Sequence, residues 1–273
     1  MSFLKIMALV SVLTRDPEVS AAAAGAIPGD QTVALASAWP RLMRLVQERP
    51  TTGVVLDSAV SPSVGSYESA LGDLATRFPS VWIVLVARRG MDLTSLFRLG
   101  QVGIKNLVLT HLDELRPGVS SAAQRAFRLS TEALVTRAVS PYVPAREMRT
   151  VRLALRGAQL GWRTPQIAER LGVSQAHLSV RLKSAGLPSA GHLLGWAKLL
   201  HAGRWLSDPG RSGESISRQL DYSNGAVFRR ALRNYTSCTP TEVREGGGLA
   251  PVLDAFLKKS GLGPRKAPVL SLV

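Results

Sequence analysis

The sequence has 273 residues, which is enough for about two domains. Its single cysteine excludes an internal disulfide framework, and no apolar run approaches the ~18 residues of a membrane-spanning helix. Of the net charge of +15, residues 1–119 carry +1 and residues 120–273 carry +14. This asymmetry is typical of a regulatory or oligomerising region joined to a region that binds a polyanion, although a merely soluble basic domain has the same charge.

The first half of the chain alternates between buried strands and helices. Runs rich in Val, Leu and Ile predict five strands, at residues 8–14, 32–37, 53–57, 81–87 and 104–109. The segments between them predict helices at residues 17–27, 38–49, 66–78 and 92–103. This alternation predicts an N-terminal α/β domain, a doubly wound five-stranded parallel sheet with helices on both faces.

Composition divides the rest of the chain. Pro117-Gly118 closes the first domain, which we place at residues 1–118. Residues 119–144 are a predicted linker helix, whose helical stretch at 120–139 is followed by two prolines. From residue 145 to residue 245 the pattern is helical throughout, which predicts an all-α domain. The glycine-rich stretch "EGGGLAP" opens a predicted flexible basic tail, residues 246–273, with one short helix at 252–259.

The stretch "IAERLGVSQAHLSVRLKSAGLP" predicts two short helices joined by a tight turn. Ile167 lies on the apolar face of the first helix, and Gly172 can adopt the left-handed conformation that ends it. Ser174 can cap the next helix, in which Leu178 and Leu182 face inward. This is the pattern of a helix-turn-helix unit, but an ordinary helical hairpin also shows it.

A second copy follows about 50 residues later, in "ESISRQLDYSNGAVFRRALRNYTSCTP". Its first helix ends at Asp221-Tyr222, and Ser223 or Asn224 caps the second helix. Phe228 and Leu232 face inward in that helix. The repetition favours a double helix-turn-helix domain over a hairpin.

Three segments in order carry a family resemblance: "IAERLGVSQAHLSVRLKSAGL", "KLLHAGRWL" and "ISRQLDYSNGAVFRRALRNYTSCTP" with its closing Thr-Pro. Over roughly residues 150–245 they resemble the AraC/XylS family of bacterial transcription regulators. The resemblance implies that two recognition helices enter successive major grooves on one face of double-stranded DNA. The apolar-faced helix at residues 190–210 would hold them about one helical repeat, ~34 Å, apart.

The same resemblance implies which residues contact DNA. Its base-facing positions fall on Ala176, Ser179 and Val180 in the first unit and on Gly225, Ala226, Val227, Arg229 and Arg230 in the second. The polar and basic residues around them are further candidate DNA contacts: Gln175, Arg181, Lys183, Arg218, Asn224 and Arg233. We expect direct base contacts from Gln175, Ser179, Arg229 and Arg230, because arginine binds guanine bidentately. The other arginines and Lys183 suit phosphates, and the Ala, Val and Gly side chains allow only close approach or contact with a thymine methyl. A solvated helix face would explain each arginine equally well.

The first half resembles a second family. Five strand–helix units, with Asp57 ending the third strand in "GVVLD", resemble the receiver domain of bacterial response regulators. The resemblance implies phosphorylation of Asp57, which requires an acidic pair that holds Mg²⁺, a hydroxyl after the fourth strand and a lysine after the fifth.

The side chains that this reaction requires are replaced at these positions in this sequence. The acidic pair corresponds to Thr14 and Arg15, the hydroxyl to Val86 and the lysine to Thr110, and only Asp16 lies beside the first two. We therefore expect a pseudo-receiver in which Asp57 is not phosphorylated and instead pairs with Arg15 or caps the following loop. Receivers commonly pair through the fourth helix, fifth strand and fifth helix, so we expect a homodimer through residues 93–102, 104–109 and 112–116.

These patterns together predict a cytoplasmic, nucleoid-associated, sequence-specific DNA-binding transcription regulator. Its predicted partners are double-stranded DNA, a second copy of the chain and RNA polymerase, and no membrane. We expect no catalytic activity, no cofactor and no metal site. Two alternatives stay open: a protein-interaction adaptor built on helix-turn-helix folds, and a response regulator that depends on phosphorylation of Asp57.

Overall fold

The computed structural model describes residues 9–27, 32–88 and 93–262. Its N-terminal region is a five-stranded parallel sheet with strand order β2-β1-β3-β4-β5. The strands are β1 (Leu9–Leu13), β2 (Thr32–Ala36), β3 (Thr51–Asp57), β4 (Trp82–Ala87) and β5 (Asn106–Leu109). The predicted doubly wound α/β fold is confirmed: every apolar run forms a strand, and the order in which strands are added to the sheet reverses between β1 and β3.

Helices cover both faces of this sheet. They are α1 (Pro17–Ala26), α2 (Trp39–Glu48), α3 (Tyr67–Arg77), α4 (Leu93–Gln101) and α5 (Leu115–Phe127). Helices α2, α3 and α4 bury one apolar layer, and α1 and α5 bury the other with small residues such as Ala122 and Ala126. On that second face the Trp82 ring lies directly on Gly53, where any side chain would overlap it.

The C-terminal region is all-α, as predicted. Its helices are α6 (Thr131–Val139), α7 (Ala145–Gln159), α8 (Thr164–Leu171), α9 (Gln175–Ser184), α10 (Ala190–Leu206), α11 (Gly213–Gln219), α12 (Gly225–Thr236), α13 (Pro240–Glu245) and α14 (Leu249–Lys259). One continuous apolar core joins them. Within the described ranges, none of the helices combines the length and the apolar composition that crossing a bilayer requires.

The predicted linker helix at residues 119–144 is two helices with different attachments. Helix α5 packs on the sheet and buries Val119, whereas α6 buries Val135 in the helical core. The chain breaks between them at Ser130, whose Oγ accepts a hydrogen bond from Ala133 N at 3.2 Å. The break contains no glycine or proline, so helical periodicity alone did not reveal it.

The prediction of a flexible tail is wrong for residues 246–262, the part of the tail that the structure describes. Helix α14 buries Val252 and Phe256, and the Phe256 ring lies 5.4 Å from that of Trp196. The glycines that suggested a flexible joint form a tight turn instead, in which Gly248 has a φ of 72° and its N–H donates to Val243 O at 2.7 Å. Residues 263–273 of the predicted tail lie outside the described residues.

A buried ion pair joins the sheet region to the helical region. Asp208 accepts from Arg211 Nε at 2.8 Å and from Ser80 N at 2.8 Å, and Ser80 Oγ donates to it at 2.5 Å. The Arg211 guanidinium also donates to the backbone carbonyls of Arg49 and Thr51, each at 3.1 Å. Both charged side chains are fully buried. Their hydrogen bonds hold the start of β3 against the segment that precedes α11.

Helix α11 itself makes a second set of contacts across this junction. Ser215 Oγ and Gln219 Nε2 both donate to the carbonyl of Gln47 at the end of α2, at 3.0 and 3.1 Å. Gly210 N donates to Arg77 O at 2.9 Å, and the Phe78 ring fills the space where a side chain at Gly210 would lie. The first helix of the second predicted unit is therefore attached directly to the sheet region.

Candidate nucleic-acid interface

Helices α8 and α9 form the first helix-turn-helix pair. Gly172 ends α8 with a φ of 68°, a left-handed conformation that costs glycine little. Ser174 Oγ then accepts from His177 N at 3.1 Å and starts α9. Ile167 and Leu178 are buried between the two helices. The local signals in the sequence therefore produced the predicted turn.

Most of the predicted DNA-facing residues of α9 are exposed. Gln175, Ala176, Ser179, Val180 and Lys183 all lie on its outer surface. Val180 is 68% exposed, which is unusual for so apolar a side chain. This face is free for a partner, but it offers few hydrogen-bond donors.

Arg181 differs from its neighbours on α9. Its guanidinium turns inward and donates to both carboxylate oxygens of Glu147, each at 3.0 Å. Glu147 is fully buried on α7 and also accepts from Thr150 Oγ1 at 3.3 Å. A buried carboxylate needs such a partner, so the structure gives Arg181 a packing role in place of the phosphate contact that we predicted.

Helices α11 and α12 form the second pair. Asp221 occupies the turn with a φ of 58°, where a non-glycine residue is uncommon. Of the two predicted caps, Asn224 is the one used: its Oδ1 accepts from Val227 N at 2.9 Å. Phe228 and Leu232 are buried beneath α12, so the opposite side of the helix faces outward.

That outward side of α12 is basic. Arg229, Arg230 and Arg233 are exposed and line a depression of about 580 Å³ with residues 239–241 at the start of α13. Ala226 is exposed at the beginning of the helix. Three guanidinium groups on one helix face can each bind a guanine edge or a phosphate.

Gly225 does not take the accessible position that we predicted. It is buried, and a Cβ atom there would lie 2.5 Å from the Glu214 carboxylate and 3.2 Å from Arg229 Nη1. Glu214 on α11 therefore covers the first residue of α12. A base could reach this backbone only after the Glu214 side chain has moved.

Helix α10 connects the two pairs. Its 17 residues span ~25 Å, and it packs against α8, α9 and α11. Gly195 on α10 allows Tyr235 of α12 to approach closely, and the Tyr235 ring meets Trp196 edge to face at 4.9 Å. Both units therefore share a core with one continuous connector.

The carboxyl ends of β1, β3 and β4 bring together a second group of polar residues. Asp57 accepts from Arg88 Nε at 2.9 Å, from Arg88 Nη2 at 2.8 Å and from Thr14 Oγ1 at 2.8 Å. Arg88 Nη2 also binds Asp16 at 2.6 Å. Burial opposes ionisation of Asp57, but the hydrogen bonds from Arg88, Ala59 N and Thr14 outweigh it and hold its pKa below the usual value.

The cation beside Asp57 is Arg88, whereas we had expected Arg15. Arg15 is exposed and donates to Ser37 O at 3.2 Å. The other expected role of Asp57 is present, because its Oδ1 accepts from Ala59 N at 3.0 Å and caps the following loop. Only the position of Arg88, directly after β4 in "VLVAR", could have indicated this partner.

The residues around Asp57 do not fit a magnesium ion. A guanidinium bridges Asp57 and Asp16, the carboxylates that the described residues bring to this site. Val86 and Thr110 occupy the positions where the receiver resemblance implies a hydroxyl and a lysine. Thr110 Oγ1 donates to Ala87 O at 3.3 Å. In the part of the chain that the structure describes, no cluster of three or more His, Cys, Asp or Glu residues could hold a metal.

The comparisons with known proteins identify the C-terminal region. Residues 167–246, which contain both helix pairs and the connector, match the family model described as "Helix-turn-helix domain". This region is an AraC-type helix-turn-helix domain. The chain thus carries a helix-turn-helix domain, the fold of DNA-binding proteins, after its parallel-sheet region. No curated protein matches the sequence.

Several solved structures are distantly similar. RcsB from Salmonella enterica serovar Typhimurium, bound to promoter rprA, is 14% identical with a TM-score of 0.36, over 69% of this chain and 98% of that chain. Full-length FixJ from B. japonicum is 14% identical with a TM-score of 0.33, over 68% and 94%. The xylose-binding transcription activator XylR is 12% identical with a TM-score of 0.37, over 89% and 71%.

The sequence patterns missed two buried charges that hold the AraC-type domain in place. Glu147 lies on α7, and Asp208 follows α10 in the segment where we placed the end of the predicted helix at residues 190–210. Each forms an ion pair with an arginine, Arg181 and Arg211 respectively. An acidic residue three positions before an arginine in "DPGR" was the only local signal for the second pair.

Proposed function

We propose that the AraC-type domain binds double-stranded DNA sequence-specifically, with α9 and α12 in successive major grooves. The observation that carries this proposal is the exposed arginine face of α12, beside an α9 whose outer face is also free. Base contacts would come from Gln175, Ser179, Arg229 and Arg230, and phosphate contacts from Lys183, Arg218 and Arg233. The connector α10 supports simultaneous binding because it packs against both units.

DNA binding is expected to weaken steeply with salt. Each phosphate contact releases condensed counterions, so 6–10 contacts cost roughly 10³–10⁵ in affinity between 50 and 200 mM salt. Fluorescence anisotropy of labelled duplex DNA at rising salt measures this slope. An affinity that stays constant over the series contradicts the proposal.

We further propose that the receiver-like region is a pseudo-receiver that acts without phosphorylation. The support is Arg88, whose fixed cation already pairs with Asp57 and Asp16. A phosphoryl group on Asp57 would have to displace this guanidinium, and Val86 and Thr110 supply neither the hydroxyl nor the lysine that would stabilise it.

Incubation with acetyl phosphate and Mg²⁺ is therefore expected to leave the intact mass of the protein unchanged. Intact-protein mass spectrometry measures the outcome, and an authentic receiver treated in parallel verifies the reagent. A gain of one phosphoryl group that disappears in Asp57→Asn would show that Asp57 is phosphorylated and overturn the proposal.

We propose that the receiver-like region also forms a homodimer. Phe97 on α4 and Leu112 after β5 are 68% and 72% exposed, and both lie in the predicted pairing segments beside the edge strand β5. Burying such side chains against a second copy would remove them from water. Two linked DNA-binding domains would bind paired sites more tightly through effective concentration. RNA polymerase contact and nucleoid association stay predictions.

One observation favours the adaptor alternative. The outer face of α9 presents Val180 and Ala176 with few hydrogen-bond donors, as a protein-binding surface would. Under this alternative the arginines of α12 are merely solvated, so replacing them would leave DNA binding unaffected. The first experiment of the Discussion separates the two functions.

A further inference from the structure

The junction between the sheet region and the AraC-type domain lies beside the start of the second recognition helix. Ser215 and Gln219, one turn apart on α11, bind the end of α2. Glu214 and Arg218 form the neighbouring, exposed stripe of the same helix. The Glu214 carboxylate lies against Gly225, the first residue of α12. The stripe therefore borders both α2 and the end of α12 that would contact bases.

A cleft of about 460 Å³ opens at this junction. It is lined by Arg49 and Pro50 from the α2–β3 corner, by Arg218 and Gln219 from α11, and by Glu48. Both arginines are exposed, and neither guanidinium forms an ion pair with another described residue. The two guanidinium groups and the Glu48 carboxylate give the cleft a net charge of +1. The guanidinium groups come from different regions of the fold, Arg49 from the sheet region and Arg218 from α11.

The cleft is fixed in place by the backbone of the corner. The Arg211 guanidinium binds the carbonyl of Arg49, so the Arg49 side chain is free while its main chain is held. In helix-turn-helix complexes the second helix lies in the major groove and the first helix crosses the DNA backbone. Helix α11 is the first helix of its unit, so the cleft beside it lies next to the phosphates that flank the second site.

We propose that Arg49 and Arg218 together bind a DNA phosphodiester, so that the receiver-like region contributes directly to DNA affinity. This rests on the proposed DNA-binding function, and it adds a contact that the AraC-type domain alone does not contain. A guanidinium fork matches the oxygens of a phosphate, and a phosphate contact acts on any DNA sequence.

The test is Arg49→Ala in the full-length chain, with mixed-sequence duplex DNA as the probe and anisotropy measured at several salt concentrations. We expect affinity to fall by up to roughly tenfold and the slope of log affinity against log salt to decrease by about one. Arg49→Lys should retain part of the affinity because it keeps the charge. Circular dichroism should show an unchanged fold, since the network uses the Arg49 carbonyl and not its side chain.

Arg125→Ala is the matched control, because Arg125 is an exposed arginine of α5 on the opposite face of the sheet. It should bind DNA like the wild type. If the wild type binds the duplex and Arg49→Ala keeps its affinity and salt slope, this inference alone is wrong. If Arg125→Ala weakens binding as much as Arg49→Ala, the effect is one of net charge and the inference is also wrong. A wild type that does not bind duplex DNA contradicts the proposed function itself.

Discussion

Replacing Arg229 and Arg230 together with alanine is expected to weaken DNA binding at least ~30-fold. Both side chains are exposed on the outer face of α12, where a recognition helix contacts base edges. Each bidentate arginine contact with guanine contributes about 1–3 kcal/mol, so losing two costs about 2–6 kcal/mol. Anisotropy titration with a duplex selected from genome-wide mapping of bound sites measures the change.

The double variant Arg125→Ala/Arg128→Ala provides the control for that experiment. It removes the same charge from two exposed positions at the end of α5 and leaves α12 intact. It should retain nearly the wild-type affinity at physiological salt. Equal affinities of the wild type and the Arg229/Arg230 variant for the selected duplex would refute direct readout by α12 and favour the adaptor function.

The Arg211→Ala variant is expected to lose about 3–5 kcal/mol of unfolding free energy. Removing one partner of a buried ion pair leaves the other charge without compensation, and here Asp208 would keep only its bonds from Ser80. The variant also removes the donors to the carbonyls of Arg49 and Thr51, which hold the sheet region against α11. Urea denaturation followed by circular dichroism measures the loss.

Two further variants make this result specific. Arg218→Ala, an exposed change on the adjacent helix α11, should alter the unfolding free energy by no more than ~0.5 kcal/mol. The double variant Arg211→Met/Asp208→Asn should be less destabilised than the sum of its single changes, because the two charges interact directly. If Arg211→Ala lowers the unfolding free energy no more than Arg218→Ala does, the Arg211 side chain has no special role in stability.

The fold was largely predictable because its signals are local. The strands of the sheet are continuous apolar runs, and the turn between α8 and α9 follows from Gly172 and Ser174, which are neighbours in sequence. The break between α5 and α6 was not predictable in this way. It depends on Val119 and Val135 facing two different cores, and no residue at the break interrupts helical periodicity.

The candidate site was predictable only in part, and arginines show the reason. Helical spacing placed Arg229 and Arg230 on an exposed face, and the structure has them there. We predicted a phosphate contact for Arg181, but its guanidinium binds the buried carboxylate of Glu147, 34 residues away. The sequence does not show such a carboxylate to be buried, so it cannot show which arginine neutralises it.

By itself, the sequence determined the order of strands and helices, the two helix-turn-helix units and the basic character of the C-terminal half. These follow from hydrophobic periodicity, caps and composition, all of which act over a few residues. Only the tertiary structure decided that Arg88 lies between Asp57 and Asp16, and that Arg211 joins the two regions. Those contacts join residues 31 to 162 positions apart. They form because the packing of the sheet and of α11 removes these charged groups wholly or partly from water, so their hydrogen bonds must come from groups that the fold brings near.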